Sequence, residues 1–166
     1  MDQLVIVTLF IFLSICVFTD VRERKIYNSI TLPAMVAGIF LHTLFTGLNG
    51  MVFSLAGLLL GFFLLFIPFL FGGMGAGDVK MLAGIGALTG ASFVLTAFFY
   101  GAIIGGVMAL SMLLRKKHML HLSVLPNILK AEHGSMRIDG KSPLSIPYGV
   151  ALAGGTVCAY VMEVLL

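Results

Sequence analysis

Charge is what this sequence has least of. Asp, Glu, Lys and Arg together make up 10% of its 166 residues, whereas 60% are hydrophobic, and the mean hydropathy is +1.12. A soluble domain of this length needs far more polar surface, so the composition excludes one and points to an integral membrane protein. The length leaves no room for a sizeable soluble domain beside the spans, and residues 1–166 are expected to form one transmembrane domain. Cysteine is nearly absent. Cys16 and Cys158 both lie inside apolar runs, with no CxxC pair and no neighbouring histidine. They read as small buried hydrophobes, which leaves neither a disulfide framework nor a thiolate metal site. No metal, cofactor or nucleic-acid partner is expected; the lipid bilayer is.

The first apolar run also lacks the marks of a cleavable signal. It opens on Met1-Asp2-Gln3, acidic where a signal is basic, and no small-x-small site follows. It ends instead in Asp20 and the basic cluster Arg22, Arg24 and Lys25, and is expected to stay as an anchor.

What is present is a series of apolar segments. Residues 3–19, 30–48, 51–71 and 144–165 each fit one helical span of roughly 17–25 residues. The stretch 79–114 is uncharged after Lys80. As one helix it would run about 50 Å, well beyond a hydrocarbon core of about 30 Å. Leu88-Thr89-Gly90-Ala91-Ser92 offers a break, giving a short span at 79–90 and a full one at 93–114. The expected fold is therefore all-α, a membrane bundle of about six transmembrane helices.

Charge supports the break. With it, all ten basic residues fall on one side: Arg22, Arg24, Lys25, Lys80, Arg115, Lys116, Lys117, Lys130, Arg137 and Lys141. Without it, the last six move to the opposite side. The positive-inside bias makes the basic face cytoplasmic, both termini non-cytoplasmic and the location a multi-pass inner or plasma membrane. Asp20, ending the first span, and Asp78, between spans three and four, then come to the same depth at the cytoplasmic boundary.

Gly57-xxx-Gly61 and Gly101-xxx-Gly105 have the small-xxx-small spacing of close helix packing and read as packing faces. Residues 115–143 form the one long polar stretch, with His118, His121, His133 and Pro126. The i,i+3 pair His118 and His121 has ligand spacing, but an interfacial segment beside anionic lipid is the favoured reading.

The segment Gly72-Gly73-Met74-Gly75-Ala76-Gly77-Asp78-Val79-Lys80 carries four glycines in its first six residues, too many for an ordinary helix. An aspartate fixed just before a helix begins is either a cap for that helix or a placed functional group. Asp20, at the C-terminal end of a span, opposes the helix dipole; it is either a boundary residue paired with Arg22 or Arg24, or functional. Two acids at one depth, without a Cys/His cluster or a Ser/His/Asp set, suggest a carboxylate dyad. Two such groups a few ångströms apart share one proton. The ionised member takes a proton from water, which attacks an amide carbonyl, and the protonated member supports the oxyanion and the leaving nitrogen. The sequence leaves open which aspartate plays which part.

These residues resemble the aspartic prepilin peptidases, also called type IV leader peptidases. The family's GxGD motif, commonly continuing VKLL, is similar to Gly75-Ala76-Gly77-Asp78-Val79-Lys80-Met81-Leu82. Its D-x-R-x-x-x-IPN motif is similar to Asp20-Val21-Arg22-Glu23-Arg24-Lys25-Ile26-Tyr27-Asn28, with Tyr27 where proline is usual. Ile146-Pro147-Tyr148-Gly149 resembles its I-P-[FY]-G opening of the last helix. The resemblance implies an endopeptidase that removes the leader of prepilin-like precursors at the cytoplasmic face. It implies Asp20 and Asp78 as the catalytic pair, with Gly75, Gly77, Lys80, Arg22 and Asn28 in supporting or substrate-binding roles. Bifunctional relatives that also N-methylate carry a large cysteine-bearing loop between the first two spans. Here that connection is about ten residues and holds no cysteine, so peptidase activity without methylation is expected, as in the minimal Flp/tight-adherence or preflagellin forms. The rival classes are a small transporter or channel, a presenilin-like protease and a non-catalytic membrane subunit. A transport path would want an acid at mid-depth, and spans two to six hold none there.

Overall fold

The computed structural model describes residues 3–72, 74–117 and 148–165. Its helices are α1 (Gln3–Glu23), α2 (Asn28–Thr46), α3 (Leu48–Leu70), α4 (Ala76–Thr89), α5 (Ala91–Lys117) and α6 (Tyr148–Leu165), and among the described residues there is no strand. The larger compact unit comprises Met1–Gly105 and Pro147–Leu166; Gly106–Ile146 forms the other, of which only the second half of α5 is described. His118, His121 and His133 lie outside the described residues.

Among the described residues, five helices are long and apolar enough to cross a bilayer: α1, α2, α3, Ala91–Ser111 of α5, and α6. The chain is thus a polytopic helical membrane bundle. The exception is α4, whose 14 residues reach about 21 Å, short of the roughly 30 Å core. The break that separates α4 from α5 falls at Gly90, which takes φ +84° while its N–H closes on the Gly86 carbonyl at 2.8 Å. A left-handed φ of that kind is ordinary for glycine alone.

The short helix forms the core. Every residue from Met81 to Gly90 is buried, with α1, α2, α3 and α6 packed around it. Outer helices turn large apolar side chains outward instead: Val36, Phe40 and Leu44 on α2 are all more exposed than buried. In water such a surface would aggregate; in lipid it is the expected face. The backbones of α3 and α4 nearly touch at Gly57 and Gly86, where a Cβ on either would lie about 2 Å from the other's carbonyl oxygen. Gly61 packs likewise on the Leu82 carbonyl, and Gly101 of α5 against Gly155 of α6. Both small-xxx-small rows are packing faces.

Because α4 ends in an apolar interior, its last carbonyls need partners from the protein. Ser54 Oγ donates to the Ala87 carbonyl at 2.6 Å, and His42 Nε2 bonds the Leu88 carbonyl at 2.8 Å. A carbonyl only accepts, so His42 carries its proton on Nε2. Phe53 packs edge-on against the same imidazole, with ring centroids 5.1 Å apart.

At the opposite end of the bundle, α1 stops on an unusual cap. Arg24 adopts φ +52°, and its N–H bonds the Asp20 carbonyl at 2.9 Å. This is the left-handed helix stop that glycine usually provides. Four residues later α2 begins. Tyr27 sits there at φ −83°, a value close to the one proline imposes, so its substitution for proline leaves this turn intact. The Tyr27 hydroxyl donates to the Glu23 carboxylate.

Candidate active site

Three separated sequence segments converge at this end of the bundle. The first brings Asp20, in the last turn of α1. Its residue is 6% exposed, and Oδ2 has no hydrogen-bond partner among the described residues. A buried carboxylate oxygen left open is expensive, and in a native fold it calls for a reason. Arg24 lies within electrostatic reach, but the carboxylate is not tied up as a boundary ion pair. What faces it is the first turn of α6. The N–H groups of Gly149 and Val150 point toward Asp20 without reaching good hydrogen-bonding geometry. The contact is tight: a Cβ on Gly149 would stand 2.7 Å from Asp20 Oδ2 and 3.1 Å from its Cγ. Free amides at a helix start carry the positive end of the helix dipole, so Asp20 gains from α6 what it loses at the C-terminus of α1.

Asp78 stands in the first turn of α4, ahead of that helix's apolar run. Its Oδ2 accepts the Gly75 N–H at 3.3 Å, while its own N–H bonds the Gly75 carbonyl at 3.1 Å. It therefore does cap α4, in the reach-back half of a capping box; Gly75, lacking a side chain, cannot supply the other half. The cap does not exhaust the residue. Burial, then the negative charge of Asp20, push the Asp78 carboxyl up to about 6, with the Gly75 N–H pulling the other way. The charge of Asp20 thus reaches the Asp78 carboxyl.

Gly77 explains the second glycine of GxGD. A Cβ there would meet Ile26 at three points, 3.0 Å from its Cβ and 3.4 Å from its backbone N and O. The same Ile26 places its Cδ1 3.2 Å from where a Gly149 Cβ would be. One isoleucine from the first segment therefore lies between a glycine of the second and a glycine of the third.

Of the supporting residues expected from sequence, Lys80 and Asn28 meet each other. Lys80 Nζ donates to Asn28 Oδ1 at 2.7 Å and ties the first turn of α4 to the start of α2. Gly75 serves as the backbone donor to Asp78. Arg22 goes elsewhere: its guanidinium lies over the Phe18 ring, 5.8 Å from the centroid, on the outer side of α1. Among the described residues, no group of three or more His, Cys, Asp or Glu has the arrangement of a metal site.

Reading the residues missed Gly149 and Ile26 as neighbours of the pair. The signal for Gly149 was present in Ile146-Pro147-Tyr148-Gly149, but it read as the opening of a helix rather than as a seat for Asp20. Nothing in the sequence marks Ile26, an apolar residue in a polar turn, as the point where the segments meet.

The prepilin leader peptidase/N-methyltransferase of Bacillus subtilis (strain 168) is 27% identical over 151 residues, covering 89% of this chain and 51% of the relative. The chain thus spans about half the length of that protein. No solved structure matches it significantly. The type IV leader peptidase family matches residues 7–110, a range that holds both Asp20 and Asp78, and the chain belongs to that family.

Proposed function

We propose that this protein is a membrane-embedded aspartic endopeptidase that cleaves the leader from prepilin-like precursors at the cytoplasmic face, with Asp20 and Asp78 as its catalytic pair. The observation that carries this reading is the buried Asp20 carboxylate, whose Oδ2 has no hydrogen-bond partner among the described residues, beside an Asp78 whose carboxyl its charge helps push up to about 6. Such a pair holds one proton between its two members over the range in which it works. The ionised carboxylate removes a proton from water, and that water attacks the scissile carbonyl. The protonated carboxyl donates to the developing oxyanion, and the proton passes on to the leaving nitrogen. Arg22, Arg24, Lys25 and Lys80 at this end support a cytoplasmic position for it through the positive-inside bias.

The proposed activity is leader cleavage without N-methylation. Only residues 24–27 connect α1 to α2, and they include no cysteine. Co-expression with a prepilin-like precursor should yield the shortened product, with an unmethylated new N-terminus by mass spectrometry. Asp20→Asn and Asp78→Asn should each abolish that product while remaining in the membrane fraction. Normal processing by either variant contradicts the assignment.

A further inference from the structure

The two acids of the site do not have the same surroundings. Asp20 meets the start of α6, an 18-residue helix whose Gly149 and Val150 N–H groups face the carboxylate. A helix start is the positive end of its dipole and suits an anion. The group aimed at it is 6% exposed, and its Oδ2, without a hydrogen-bond partner among the described residues, lies 2.7 Å from where a Gly149 Cβ would stand. The positive charge of Arg24 also acts on Asp20.

Asp78 has less. Its own helix, α4, offers it a dipole of the same kind, so the difference lies in the other charges. A single N–H, from Gly75, reaches its Oδ2 at 3.3 Å. The charge that reaches it from Asp20 is negative. Lys80, two residues on, is drawn away to Asn28 at 2.7 Å. Of the two acids, Asp20 is the better seat for a negative charge and Asp78 the better seat for a proton.

The individual oxygens fit the same order. Asp78 Oδ2 already accepts the Gly75 N–H, which leaves Oδ1 to carry a proton. Asp20 Oδ2 keeps its lone pairs open, as an atom that takes a proton from water must.

We infer that Asp20 is the general base of the pair and Asp78 its general acid, with the first turn of α6 as the positioning element that sets this order. The inference rests on the peptidase reading above. Water gives one proton to Asp20 Oδ2, and its oxygen bonds the scissile carbonyl carbon. Asp78 Oδ1 gives its proton to the carbonyl oxygen. That proton passes to the nitrogen as the C–N bond breaks. The pair still holds one proton, now on Asp20, and resets when it crosses to Asp78.

The test uses two prepilin-like precursors in detergent, alike except that one carries an ester oxygen in place of the scissile N–H. An alkoxide leaves with far less help from an acid than an amide nitrogen does. Asp78→Asn should lose the amide precursor yet keep about a tenth of the parent rate or more on the ester, after subtraction of uncatalysed hydrolysis. Asp20→Asn should lose both. The opposite order, or equal loss of ester cleavage in the two variants, overturns the assignment. Parent enzyme that cleaves neither precursor overturns the peptidase reading and this one with it. Val150→Pro removes one of the two amides, and proline is tolerated in the first turn of a helix. It should lower kcat about tenfold on amide and ester alike, with KM and the melting temperature held. No fall, or a fall confined to the amide, overturns the part assigned to α6.

Discussion

Gly149→Ala should uncouple chemistry from folding, and its size can be worked from one contact. The added Cβ would lie 2.7 Å from Asp20 Oδ2, against an ordinary contact of 3.4 Å or more, so the carboxylate must move by about 0.7 Å or rotate away. Displacements near 1 Å in a catalytic group cost on the order of 10²-fold in rate. The expected fall in kcat is therefore about 10- to 100-fold, with KM for the precursor little changed. The helix itself should not suffer: alanine is a better helix former than glycine by up to about 1 kcal/mol. Gly154→Ala on the same helix is the control, since its Cβ would meet only the flexible Cδ1 of Ile104 at 3.3 Å. The assay is the rate of precursor shortening by purified enzyme, with thermal melting in the same detergent. Unchanged cleavage in Gly149→Ala, or an equal loss in Gly154→Ala, would refute the claim that α6 seats Asp20.

The Asp78 carboxyl, raised from 3.8 to about 6, costs the fold stability as pH rises, because from 3.8 to 6 the unfolded chain has released a proton that the folded chain still holds. The rise corresponds to at most about 3 kcal/mol. Asp78→Asn should therefore melt higher than the parent above pH 6 and equally at pH 3.5; a variant less stable at pH 8 would contradict this. On activity, the alkaline limb of the parent pH–rate profile should fall with an apparent value near 6. His42→Leu strands the Leu88 carbonyl in an apolar interior and should lower stability by about 1–3 kcal/mol, read by thermal melting, with cleavage retained below the transition. Lys80→Met and Asn28→Ala should each cost about 0.5–1.5 kcal/mol and, in a double-mutant cycle, fail to add.

Most of the architecture was legible because the bilayer imposes few choices. Span length and the distribution of ten basic residues located the break at 88–92, and Gly90 is where the helix stops. The expectation that Asp20 and Asp78 lie at one depth came from the same argument. What stayed hidden depends on which backbone approaches which. α4 appeared as one short span among six, and nothing in its composition announced that it is the buried centre or that Ser54 and His42 cap it. Arg24 stops α1 in a conformation that a sequence reader assigns to glycine. Arg22 stands two residues from Asp20, yet the helix turns it through 200° to the outer side, over Phe18.

The shared proton is best tested by infrared difference spectroscopy of the protonated carboxyl band as pH is varied. In the parent, the band assigned to Asp78 should vanish with a midpoint near 6, and Asp78→Asn should lack it throughout. With its partner's charge removed in Asp20→Asn, the Asp78 band should disappear at distinctly lower pH. A midpoint that Asp20→Asn leaves unmoved would show that the two acids do not sense each other, and the catalytic pair would be contradicted.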